Sequence, residues 1–359
     1  MKKLAALILA VSMVSMVLFS GCGSSSGADS NGNNGTQASS AGTQASKTDD
    51  KAEGKKYVVG GVIMNMAWPW FLGTQVGMEQ YAREKGLNVE FQFEDSQNDI
   101  QTQIKQLENM AQKGVDGIVI FPVDSKAIIP TMVDLHKNKQ IKFVVGDYAQ
   151  NPDSKDDIVW ETFVGHDFKA MGTVAGQIAV KEMKAQGKTN PTCVYLSLPK
   201  SGEASVKRFE GFKEAVLAEL PDAKIIEEGD STGDRSSSQT LFENVLQRSS
   251  DIDIVCGHND ALVVGAYNAA VGANAADKMK FIGMAGDKEV IQYLADGNKS
   301  WIGEVLQDPV VLGYTAMEAL VNALDGKKLP DNFDLPAPEA LTPENIGQKD
   351  WKSWTWLGN

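Results

Sequence analysis

Residues 100–125 form one helix-to-strand unit: Ile100-Gln101-Thr102-Gln103-Ile104-Lys105-Gln106-Leu107-Glu108-Asn109-Met110-Ala111-Gln112-Lys113-Gly114-Val115-Asp116-Gly117-Ile118-Val119-Ile120-Phe121-Pro122-Val123-Asp124-Ser125. Ile100, Ile104, Leu107, Met110 and Ala111 recur at helical spacing and fall on one face. Residues 115–121 then run almost continuously apolar, the pattern of a strand covered on both faces in a parallel sheet. The unit closes in a polar cluster, Pro122-Val123-Asp124-Ser125.

Further such units lie on either side. Residues 57–64 read as a buried strand, and Phe71, Thr74, Met78, Tyr81 and Ala82 as a helix ending near Gly86. Val89, Phe91 and Phe93 alternate as in a strand, a helix is expected from Ser125, and residues 141–146 form another strand. The alternation restarts at 192–197 and runs through a helix over 205–220, stopped by Pro221. Strands follow near 223–227, 252–257, 280–284 and 301–306.

The halves echo each other in letters. Glu108-Asn109, Gln112-Lys113, Asp116 and Ile118-Val119 are matched by Glu243-Asn244, Gln247-Arg248, Asp251 or Asp253, and Ile254-Val255. The second copy ends in its own polar cluster, His258-Asn259-Asp260. The reading is an α/β protein of two similar, doubly wound parallel-sheet lobes facing each other.

Ahead of the first strand, Lys2 and Lys3 precede an apolar run over 4–19 that leads into Leu18-Phe19-Ser20-Gly21-Cys22. That arrangement marks residues 1–21 as a signal peptide, its apolar run too short to serve comfortably as a spanning helix of about 20 residues. The motif resembles the lipobox of bacterial lipoproteins, with Phe19 where that pattern prefers Leu, Val or Ile, and implies a diacylated Cys22. Residues 22–54 are then the lipid anchor and a Ser/Gly/Asn-rich flexible linker, with too little apolar surface to offset the entropy of ordering. Such a coil spans roughly 30 Å.

The formal net charge of −13 argues against nucleic acid or an anionic membrane surface as partner. Cys193 and Cys256 sit inside apolar strands and read as buried free thiols. The three histidines show no metal spacing, and neither a nucleophile elbow nor a phosphate loop is present, so the chain reads as neither an enzyme nor a holder of metal or cofactor.

In open parallel sheets, ligands bind beyond the carboxyl ends of the strands. Those ends offer Met64, Asn65, Trp68, Trp70, Phe71, Asp95, Asp124, Ser125, Asp147 and Tyr148 in the first lobe. In the second they offer Lys200, Ser201, Arg208 on the following helix, Asp234, Arg235, His258, Asn259, Asp260, Asp287 and Gln307. Planar groups that hydrogen-bond in two directions, joined by indoles, suit a small polyhydroxylated ligand whose C–H face is covered by an aromatic ring.

Gly61-Val62-Ile63, Pro69-Trp70-Phe71, Asp95-Ser96-Gln97-Asn98, Gly114-Val115-Asp116-Gly117-Ile118, Pro122-Val123-Asp124-Ser125, Arg208-Phe209-Glu210-Gly211-Phe212, Asn259-Asp260 and Gln307-Asp308-Pro309 stand in a fixed order. Over 57–346 that order resembles the sugar-binding proteins of bacterial ABC importers, the ribose-binding type. The resemblance implies a type I periplasmic-binding-protein fold, its lobes joined by a three-segment hinge crossing near Gly165-His166-Asp167, Gln307-Asp308 and Ala337-Pro338. Residues 55–165 plus 308–336 would form the N-terminal lobe and 166–307 plus 337–359 the C-terminal lobe. Trp70 and Phe71 would stack on a monosaccharide or related polyol. Asp147 and Arg208 would take hydroxyls and the ring oxygen, and Asn259 and Gln307 would complete the cage. The protein would stand outside the cytoplasm, lipid-anchored to the outer face of the membrane. It would deliver its ligand as a monomer to ABC permease subunits, or alternatively present it to a chemoreceptor or histidine-kinase ectodomain.

Three positions depart from that pattern. Trp68 replaces an Asn, Ala285 replaces a ligand-binding Asp with Asp287 two residues on, and Gly233 replaces an aromatic residue. These changes keep the class and leave the sugar open. Asp260 is expected to cap its helix and orient Asn259, Asp124 and Ser125 to cap theirs, and Trp351, Trp354 and Trp356 to pack on a lobe.

Overall fold

The structure, a computed structural model, describes residues 55–356 apart from 68, 151, 231, 250 and 355. The signal peptide, Cys22, the linker and Trp68 lie outside the described residues.

From the first described residues the chain runs β1 (Lys56–Ile63), α1 (Pro69–Glu84), β2 (Asn88–Asp95), α2 (Ile100–Lys113), β3 (Gly117–Ile120), α3 (Ile129–Lys139), β4 (Lys142–Gly146) and β5 (Trp160–Gly165). It continues through α4 (Phe168–Ala185), β6 (Thr192–Ser197), α5 (Glu203–Glu219), β7 (Lys224–Gly229), α6 (Arg235–Arg248), β8 (Ile254–Gly257), α7 (Asp260–Gly272), β9 (Lys280–Ala285), α8 (Lys288–Ala295) and β10 (Trp301–Leu306). It ends in α9 (Pro309–Leu324), β11 (Asn332–Asp334) and β12 (Glu339–Leu341), followed by short 3₁₀ turns.

Two six-stranded sheets result, ordered β11-β5-β4-β3-β1-β2 and β12-β10-β9-β8-β6-β7. Their strand pairs are parallel except β10 with β12. Each sheet places its first strand between the second and third, so the direction of winding reverses beside it. The chain passes from the first sheet to the second after β5, returns after β10, and passes over again between β11 and β12. Both faces of each sheet are covered, with fully buried Val59, Ile63 and Val119 on one face of the first and Val62, Ile118 and Ile120 on the other.

The internal echo has a structural meaning. Asp116 accepts from the Val58 N–H at 2.7 Å at the start of β1, and Asp253 accepts from the Thr192 N–H at 2.8 Å at the start of β6. Asp253, not Asp251, is therefore the counterpart of Asp116.

Helix pairs pack at glycines. A Cβ on Gly172 of α4 would collide with the Arg208 carbonyl of α5, and one on Gly211 with the Lys169 carbonyl. Gly77 and Gly313 play the same part between α1 and α9. Only a residue without a side chain lets the helix backbones approach so closely.

Three differences from the sequence reading have local causes. The sequence reading places no element at β5 or α4: Trp160-Glu161-Thr162-Phe163-Val164 mixes charge into a short strand, whereas Met171, Ala175, Ile178, Ala179 and Met183 of α4 do recur at helical spacing. Helix α3 starts at Ile129 rather than Ser125, because Asp124 folds back to accept the N–H groups of Lys126 and Ala127 at 2.8 Å. Asp260 caps nothing: the N-cap of α7 is Asn259 itself. Trp351 and Trp356 are buried with the second sheet, while Trp356 also lies against Gly73 of α1.

Candidate functional site

Arg208 is the centre of the site. It projects from α5 and is only 4% exposed. Its Nη1 donates to the His258 carbonyl at 2.6 Å and its Nη2 to Gln307 Oε1 at 2.8 Å, while the Phe168 ring lies 5.0 Å from the guanidinium carbon. A buried guanidinium needs such partners, since an unpaired charge in a low-dielectric interior is costly.

Gln307 lies one residue beyond β10, where the chain returns to the first lobe. Its Oε1 accepts from Arg208, its Nε2 donates to Asp147 Oδ1 at 3.0 Å, and its carbonyl accepts from Trp70 Nε1 at 2.8 Å. One residue thereby links α5 of the second lobe and the loop after β4 of the first through its side-chain amide, and the start of α1 through its backbone carbonyl. Its own N–H donates to the Ala285 carbonyl at 3.1 Å, which fixes it to the end of β9.

Asp147 sits one residue past β4 with φ +66, a left-handed conformation that is uncommon outside glycine. Strained backbone of this kind is retained where the surroundings hold it. Burial pushes its carboxyl up to about 6, against the opposing pull of Arg208 and the Gln307 hydrogen bond. Beside it, burial raises the Tyr148 hydroxyl to about 12, and Ser201 of the second lobe stands next to that hydroxyl.

Trp70 is half-buried and meets Phe71 edge-on, ring centroids 5.0 Å apart. Phe71 is nearly buried, packing edge-on against Phe121 at 6.0 Å. The indole thus presents an edge already committed to Gln307 and a face beside the cleft, whereas much of Phe71 supports it from the core.

Asn259 is partly committed too: its Oδ1 accepts the Leu262 N–H at 3.0 Å as the cap of α7. Asp287 belongs to a different group. Its carboxyl is pushed up to about 7 by burial and by Asp260, and Arg235 and Glu289 are its other charged neighbours. Ala285 uses its backbone, donating to Glu304 Oε1 at 2.8 Å. The structure therefore gathers Trp70, Phe71, Asp147, Arg208 and Gln307 into one connected site, leaves Asn259 as a cap at its edge, and sets Asp287 in a neighbouring carboxylate cluster.

Two imidazoles belong with the site and are weakly marked in sequence. His166 follows β5 and His258 follows β8; both are buried, and burial and then Arg208 lower their proton affinity, His166 to about 3 and His258 well below the ordinary range. His166 escaped a periodicity reading because β5 did.

Two switch-point sheets enclosing such a polar cage can bind and orient a ligand. The family described as periplasmic binding protein domain matches residues 59–328. The chain belongs to the periplasmic binding protein family. A ribose import binding protein of Bacillus subtilis is 27% identical over 293 residues, covering 82% of this chain and 90% of that one. A D-allose-binding periplasmic protein of Escherichia coli is 25% identical, covering 75% of this chain and 85% of its own length. Among solved structures, an ABC transporter periplasmic solute-binding protein of Actinobacillus succinogenes with bound D-allose superposes with a TM-score of 0.72 at 20% identity, covering 82% of this chain and all of that one. The two-lobed parallel-sheet architecture is that of type I periplasmic binding proteins.

Proposed function

We propose that this protein is the extracytoplasmic solute-binding component of an ABC importer, capturing a monosaccharide or related polyol between its lobes. The observation that carries the reading is the chain Asp147–Gln307–Arg208, which joins residues of both lobes and the hinge by hydrogen bonds of 3.0 and 2.8 Å. Ligand contacts to both lobes favour the closed form, because a ligand with equal affinity for open and closed forms shifts nothing. The names of the Bacillus subtilis and Escherichia coli relatives, a ribose and an allose binder, support a sugar.

In this reading a signal peptide over 1–21 is removed and Cys22 carries lipid, holding a monomeric binding domain on residues 22–54 beside permease subunits. Tethering raises the local concentration of loaded protein at the permease. The protein binds without turning its ligand over. Among the described residues no helix is long and apolar enough to cross a membrane, so in this reading attachment rests on Cys22.

Calorimetric titration with D-ribose, D-allose, D-galactose, xylitol and myo-inositol tests the site. Saturable binding of one or more supports it, and a flat response to all overturns it. A Cys22→Ala variant is expected in the soluble fraction with unchanged affinity; retention in the membrane fraction would overturn the anchor.

A further inference from the structure

Several polar side-chain atoms in this region are buried without any hydrogen-bond partner: Nδ1 of His166, Nδ1 of His258, Nε of Arg208 and both amide atoms of Gln150. They lie on α5 and on the segments that follow β4, β5 and β8, at the carboxyl ends of strands in both lobes. Unmet buried polar groups are costly, so an Arg208 Nε without a partner and two imidazoles under the influence of its charge are hard to account for by stability alone.

The two imidazoles are the most informative. His166 is 9% and His258 4% exposed, and Arg208 acts electrostatically on both. The third histidine supplies a contrast, since His136 Nδ1 lies 3.0 Å from the Ile141 carbonyl, a partner that satisfies it. His166 and His258 instead keep a buried Nδ1 without a hydrogen-bond partner.

The charges of the site are also balanced. Arg208 spends both Nη groups on uncharged acceptors, and the carboxyl that faces it is Asp147. An anionic ligand would meet a guanidinium already engaged and a carboxylate beside it. A cationic ligand would meet Arg208.

Resting on the sugar-binding reading above, we propose that His166 and His258 are direct ligand contacts, each offering Nδ1 to a hydroxyl, and that the cage selects an uncharged polyhydroxylated ligand over a sugar acid or amino sugar. A neutral imidazole donates or accepts at Nδ1 according to its tautomer. Two of them let the site match hydroxyls whose direction a carboxylate or guanidinium would dictate.

The test uses the protein labelled with ¹⁵N-histidine and a panel of D-ribose, D-allose, xylitol, myo-inositol, D-glucuronate and D-glucosamine. Binding of an uncharged member checks the parent reading; binding of none overturns it and this inference with it. With the bound compound added, the Nδ1 resonances of His166 and His258 are expected to shift while that of His136 stays put. His166→Asn and His258→Asn are each expected to weaken binding by roughly five- to a hundredfold. Unmoved resonances at both sites with unchanged affinity in both variants would overturn the histidine assignment while leaving sugar binding intact. If either variant fails to fold, the wild-type resonances decide alone. Glucuronate or glucosamine binding as tightly as the best uncharged compound would overturn the charge selection.

Discussion

The side-chain amide of Gln307 donates to the carboxylate of Asp147 at 3.0 Å, joining residues 160 apart in sequence across the lobe crossing. The same amide accepts from Arg208, so it relays between a carboxylate and a guanidinium. Replacing it removes both side-chain interactions at once, while the bond from Trp70 to the Gln307 carbonyl is kept. Gln307→Ala is expected to lower ligand affinity more than tenfold and to cost about 1 to 3 kcal/mol of stability, because Asp147 and Arg208 each lose a buried partner. Urea denaturation beside calorimetry measures both; an affinity within twofold of wild type would remove Gln307 from the site.

Asp147 makes stability and binding depend on pH in opposite directions. Burial raises its carboxyl to about 6 in the folded protein, whereas the unfolded chain titrates near 4. The folded state therefore holds a proton that the unfolded state has released, and its contribution to stability is full below about 4 and is lost as pH rises through about 6. Binding runs the other way if the carboxylate accepts a ligand hydroxyl: affinity should rise as pH passes from 5 to 7. Asp147→Asn should flatten both dependences and bind more than tenfold more weakly. An affinity profile of wild type that is flat from pH 5 to 7 would argue against a ligand-bound carboxylate.

Trp70 separates stacking from hydrogen bonding. Its Nε1 holds the Gln307 carbonyl at 2.8 Å while its ring stays half-buried. Trp70→Phe keeps a ring and loses one hydrogen bond, so a loss of about fivefold is expected, against more than tenfold for Trp70→Ala. Equal affinities for all three proteins in fluorescence or calorimetric titrations would place the indole outside the ligand's reach.

Glu304, fully buried on β10, accepts from the Ala285 N–H at 2.8 Å and faces Asp260, which holds the N–H groups of Met284, Gly286 and Asp287 at 2.7 to 3.0 Å. Burial and the Asp260 charge keep Glu304 protonated well above the ordinary range. Its contribution is therefore full at acidic pH and declines as pH rises, since the unfolded chain has already released that proton. Glu304→Gln retains an acceptor for Ala285 and a donor for Asp260, and should be more stable than wild type at pH 8. Glu304→Ala should lose more than about 2 kcal/mol. Denaturation curves at pH 5 and 8 compare the three; a glutamine variant that is less stable than wild type at pH 8 would mean that Glu304 is ionised.

Much of the architecture was legible because it is local. Apolar runs at 57–64, 115–121, 192–197 and 252–257 mark buried strands, and the repeated Asp, Asp116 and Asp253, holds the neighbouring strand in each lobe. Site residues at strand ends, Asp147 and Gln307 among them, were legible for the same reason: in such sheets chemistry collects at the carboxyl edge. Strand β5 was not, since Glu161 and Thr162 break the pattern that burial imposes elsewhere.

What the amino-acid order determined by itself is the alternation of strand and helix, the doubling of the unit, and the type of chemistry at the strand ends. These follow from side-chain period and composition over a few tens of residues. Only the tertiary structure decided that Asn259 caps a helix, that Asp260 and Glu304 form a carboxyl pair binding the loop to Asp287, and that Gln307 stands between Asp147 and Arg208. Those roles depend on which group lies within about 3 Å in a folded chain, and partners 99 and 160 residues apart leave no local pattern in sequence.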